Sequence, residues 1–165
     1  MSWFKRKRHL TASPIMIAEL LHQIMVEEDN PQGTPEYFHL PEPVHAAFRE
    51  KVFLYREANV LLALLIRSKQ DPLFEQPLQE YERILFPLPP ETPAGAQRLQ
   101  AVKAAMKDLH AVVDSKDSQK LTWGRSWFAA IGHDETNPAT LVLFFTFWSN
   151  LYIAAHESLE GLIAR

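Results

Sequence analysis

The chain carries seven histidines and twenty carboxylates, so a metal site is the first chemistry to consider. Di-iron bundles use Glu-x-x-His, because residues at i and i+3 project from one side of a helix. That spacing occurs at Glu19/His22 and again at Glu42/His45. His156 with Glu160 and His110 with Asp114 add pairs at i and i+4. Glu42 stands between Pro41 and Pro43, which places it before a helix rather than within one. A complete site needs two further inward glutamates, and Glu57 and Glu157 are the ones available. The metal hypothesis therefore centres on Glu19 and His22. Against it stands the reading of these pairs as solvated helix faces, each worth a few tenths of a kcal/mol.

Other reactive constellations are incomplete. Gly124-Arg125-Ser126-Trp127-Phe128 resembles a nucleophile elbow, but the second glycine is missing and no strand precedes it. Ser126 reads as a helix or turn residue. His133, Asp134 and Glu135 cluster ahead of the last helix and read as a polar turn whose acids meet a helix N-terminus. None of the five glycines forms a phosphate loop or a dinucleotide fingerprint. No cysteine is present, which removes disulfides, thiolate metal sites and a thiol nucleophile. No cofactor is expected on these grounds.

Binding is better represented than catalysis. The stretch from Trp123 to Tyr152 holds Trp123, Trp127, Phe128, Phe144, Phe145, Phe147, Trp148 and Tyr152, nearly half of the aromatic residues. Four of them surround much of the last helix, and that apolar area must meet core, a second subunit or a ligand. Thr146, Ser149 and Asn150 form a polar stripe on the same helix. Trp123, Trp127, Phe144, Phe147 and Trp148, with that stripe supplying polar contacts, are the candidate lining of an apolar pocket. Thr136 to Ala155 is uncharged over the length of a membrane span, but the polar residues within it favour a buried helix with a narrow polar stripe.

Charge is uneven. Lys5, Arg6, Lys7 and Arg8 make the start basic, while the whole chain has a net charge of −3. Trp3 and Phe4 beside these four cations could touch an anionic membrane surface weakly. The acidic remainder argues against specific nucleic-acid binding. Ile15 to Ala18 is too short an apolar core for a secretory signal. Pro87-Leu88-Pro89-Pro90 has PxxP spacing but reads first as a connector.

Helical periodicity must position these residues. Ser13 and Pro14 read as N-cap and first turn of a helix to Glu28. Residues 30–43 form a proline-broken loop pinned by Tyr37, Phe38 and Leu40. Val44 to Lys69 is the longest helix, with Val60 to Ile66 apolar all round. A helix opens at Asp71 and Pro72 and reaches Phe86, with Pro77 beginning or kinking a segment. Ala94 to Gln119 carries the seam Leu99, Val102, Met106, Leu109 and Val113. Leu121 to Ile131 and a last helix from Asn137–Pro138 to Ile163 complete the chain.

These elements predict an all-α fold, an irregular antiparallel bundle of about five to six helices. Residues 1–12 are expected to form a basic, flexible tail and residues 13–165 a single helical domain. The expected role is that of a soluble, cytoplasmic, non-enzymatic interaction domain, acting through its aromatic C-terminal helix as a homodimer or on another partner. The alternatives are a binding domain for small apolar ligands and a carboxylate–histidine metal bundle.

Overall fold

The computed structural model describes residues 10–27, 30–113, 115–160 and 162–164. Six α-helices form an all-α bundle: α1 (Pro14–His22), α2 (His45–Gln70), α3 (Glu75–Leu85), α4 (Pro93–Val113), α5 (Asp117–Ala129) and α6 (Pro138–Glu160). Two short strands flank them, β1 (Leu10–Ala12) and β2 (Leu162–Ala164), and they pair in parallel. The flexible tail expected over residues 1–12 therefore does not extend over Leu10–Ala12, whose backbone is tied to the far end of the chain. Short runs without alternation carry no strand signal, and only the tertiary fold brings these two together. Trp3, Phe4, Lys5, Arg6, Lys7 and Arg8 lie outside the described residues.

α2 is the central helix. It packs against α3, α4 and α6, while α1 lies on α3 and α5 on α6. Of the apolar run expected to be buried all round, Val60 to Leu64 are buried, while Leu65 and Ile66 are half-buried. One buried cluster contains residues from all six helices. Glu57 and Asn59 are its polar members on α2, and each has a partner. Arg98 of α4 meets the Glu57 carboxylate at 2.5 Å, and Asn59 donates to the Leu151 carbonyl of α6 at 3.0 Å.

Caps act where the sequence places them. The Ser13 hydroxyl accepts from the Met16 amide at 3.3 Å, and the Asn137 side chain accepts from the Ala139 amide at 3.0 Å. Other boundaries differ from expectation. α1 ends at His22 and continues as a π-helical turn, Gln23–Glu27, where the Arg56 guanidinium donates to the Val26 carbonyl. Pro77 falls in the first turn of α3, where a missing amide costs nothing, so it kinks nothing. A 3₁₀ turn, Pro72–Phe74, precedes that helix.

The expected helix from Ala94 to Gln119 breaks after Val113. Lys116 is extended, and the Gln119 side chain accepts from its amide as α5 begins. The seam of α4 loses its cover at the same place. Val102 and Leu109 are buried, whereas Val113 is 40% exposed. α5 ends at Ala129, and the turn after it passes through Gly132, whose φ of +82° suits glycine, with the His133 amide reaching back to the Phe128 carbonyl.

Candidate functional site

α6 faces two ways. Leu141, Phe144, Trp148, Leu151, Ala155 and Leu159 recur at three- and four-residue steps and are buried. Phe144 lies 4.7 Å from both the Trp127 and Phe128 rings, centroid to centroid, and Trp123 stacks on it at 5.7 Å. Phe147 and Trp148 meet at 4.9 Å. Gly124 of α5 admits this closeness, because a Cβ there would stand 3.0 Å from Leu141 Cδ2. The Gly124–Ser126 segment is therefore a helix contact. Ser126 is exposed, and its hydroxyl donates to the Thr122 carbonyl.

The expected pocket is thus occupied by its own walls. Trp127, Phe144, Phe147 and Trp148 pack on one another in the core, with Trp123 half-buried against it. Thr146, Ser149 and Asn150 lie on the opposite, exposed side of α6. The expected polar stripe in a buried helix becomes a polar stripe on a surface one. Residue types around the helix allowed either orientation, and packing on α2 and α5 selects this one.

The outer side of α6 is unusually apolar. Val142 is 56% exposed, Leu143 44% and Ile153 51%. Among the described residues α6 alone is long and apolar enough to cross a membrane by length and composition, and only a third of its apolar window is buried.

Because the chain turns away after Val113, α4 leaves one flank of α6 open. A groove of about 240 Å³ lies there, with Leu109, Val112 and Val113 on one wall and Trp148, Tyr152 and Ile153 on the other. Lys120, Phe145 and Ser149 close it toward α5. The same three residues border a second recess of about 430 Å³, which Thr146, Asn150, Val142 and Asp117 also line. Of the pocket residues expected from sequence, Trp148, Thr146, Ser149 and Asn150 reach this surface. Those that reasoning from sequence did not assign to a pocket include Leu109, Val112, Lys120 and Ile153. Only the unfinished seam at Val113 hinted at them.

The described residues do not gather a set of ligands around Glu19 and His22. Glu19 is exposed, while His22 turns inward between the rings of Phe53 and Tyr81 and meets Glu27 at 3.4 Å. His45 meets the Leu40 carbonyl at 2.8 Å, with Glu42 exposed. Glu57 does point inward, but toward Arg98. No three His, Cys, Asp or Glu side chains among the described residues stand close enough to hold a metal ion. Helical spacing sets direction along one helix and says nothing of which helices converge.

Two polar clusters brace the bundle. Near α6, His133 meets Glu135 at 3.2 Å, and the other oxygen of Glu135 accepts from the Asn137 amide at 2.8 Å. This is the polar turn read from the sequence. Between α2, α4 and α5, the Tyr55 hydroxyl donates to Asp108 at 2.7 Å, and the Lys51 amine sits 5.0 Å over the Trp127 ring. Burial pushes the Lys51 pKa down and the Tyr55 pKa up, with Asp108 opposing the first shift and adding to the second. No family model, curated protein or solved structure matches the chain.

Proposed function

We propose that this chain is a non-enzymatic binding domain whose working surface is the outer half of α6 with the groove beside it. The observation that carries the reading is the exposure of Val142, Leu143 and Ile153 on a helix whose other face is fully packed. A surface helix with no partner turns charged residues outward. α6 instead turns outward aliphatic residues separated by small polar ones, a surface suited to close approach by another apolar body. A second copy of the chain is the simplest such body, and the cysteine-free composition fits the reducing cytoplasm.

Sedimentation velocity from about 1 µM to about 1 mM, a range that detects dimers of ordinary affinity, tests self-association. The comparison is Leu143→Glu/Ile153→Glu, which places charge at two exposed positions. Concentration-dependent association that the double variant loses supports the homodimer. A wild-type chain that stays monomeric throughout, and takes up no apolar probe that the double variant refuses, overturns the proposed surface altogether. A second reading, a small apolar ligand, is favoured by the groove itself, because a flat self-association face needs no recess between α4 and α6.

A further inference from the structure

We infer that the groove between the C-terminal end of α4 and α6 is a site for a free, single-chain amphiphile carrying one negative charge. The inference rests on the reading of the α6 outer surface as a binding surface and names what enters its recess. Polarity changes along the groove. One end is made by Val112, Val113, Tyr152 and Ile153, which offer hydrocarbon and ring surface to an alkyl chain. The other end carries Lys120 and Ser149 and opens onto Thr146 and Asn150.

Among the described residues that line the two recesses, Lys120 is the one cation. Its ammonium stands 3.9 Å from Asp117, whose carboxylate is wholly exposed. An ion pair of that length at the surface holds its members weakly, so a ligand anion can take the ammonium. The position is also near the N-terminal end of α5, whose dipole favours negative charge. At about 240 Å³ the groove lies below the roughly 300–1,000 Å³ of drug-sized pockets. One alkyl chain fits that space.

The test is calorimetric titration of the full chain with octanoate, decanoate and dodecanoate below their micelle concentrations. Decanol and decyltrimethylammonium serve as neutral and cationic controls. Affinity is expected to rise about fourfold per added methylene until the chain outgrows the groove. Decanoate should bind about fivefold more tightly than decanol, the size of an exposed charge pair. Lys120→Met should remove that preference and leave decanol binding unchanged. Ile153→Asp, at a position half exposed in the fold, should abolish binding of both, with far-UV circular dichroism confirming that each variant is folded.

Equal affinity for anion, alcohol and cation overturns the charge assignment, as does a preference that survives Lys120→Met. Uptake confined to phosphatidylglycerol vesicles overturns the free amphiphile in favour of a membrane contact. Self-association through α6 without any decanoate binding defeats this inference alone. Decanoate binding indifferent to Ile153→Asp, together with a strictly monomeric chain, defeats the proposed surface as well.

Discussion

Replacing Arg98 by Met should destabilise the protein by about 2–3 kcal/mol, and the reason lies in Glu57. The Glu57 carboxylate is inside the bundle, 4% exposed, and Arg98 meets it at 2.5 Å. Breaking a fully buried pair by deleting one member costs roughly 3–5 kcal/mol, because the other charge stays behind without compensation. Here the Arg98 side chain is 33% exposed, so water can approach from that side and part of the cost is relieved. Methionine keeps most of the aliphatic stem, which isolates the charge from the packing.

A loss of that size lowers Tm by about 5–10 °C for a chain of this length. Urea denaturation followed by circular dichroism measures the free energy directly. Glu57→Leu/Arg98→Met is the decisive companion. Removing both charges should return stability to within about 1 kcal/mol of the parent, since apolar replacements of buried pairs are often neutral or stabilising. If Arg98→Met costs less than about 1 kcal/mol, the carboxylate is already solvated and the reasoning fails. It fails equally if the double variant is as unstable as the single one.

Three further outcomes follow from individual contacts. Gly95→Ala should destabilise by about 2 kcal/mol in the same urea assay despite alanine's better helix propensity, because the new Cβ would stand 2.0 Å from the Pro89 carbonyl oxygen. Tyr55→Phe should cost about 1 kcal/mol, a charge-assisted hydrogen bond discounted for the exposure of Asp108, and a neutral result would make the 2.7 Å contact incidental. Burial lowers the His156 pKa, with Glu160 opposing the shift. Unfolding therefore exposes a histidine that takes up a proton more readily, and its contribution to stability falls as pH drops below about 6.5, levelling once the folded form protonates. His156→Gln should remove that portion of the slope between pH 7 and 5, and identical profiles for the two proteins would refute it.

Local chemistry made much of the helical framework legible. Ser13–Pro14 and Asn137–Pro138 name two helix starts, because a capping oxygen and a preset φ act within a few residues. The apolar run in α2 marks the most deeply buried part of that helix, from Val60 to Leu64. The polar turn at His133–Glu135 follows from the same local rules.

Tertiary structure decided the rest. Aromatic residues on most sides of α6 left its inner face undetermined, and the approach of Gly124 to Leu141 and the Asn59 bond to Leu151 select it. The break between α4 and α5 separates Val113 from its expected cover, which no periodicity announces. β1 and β2 pair across nearly the whole chain. The groove itself needs α4, α5 and α6 at once, because a recess is a property of surfaces meeting in space. Sequence names the residues that can bury area or carry charge. Which of them share a wall depends on contacts among distant segments, whose energies no local pattern encodes.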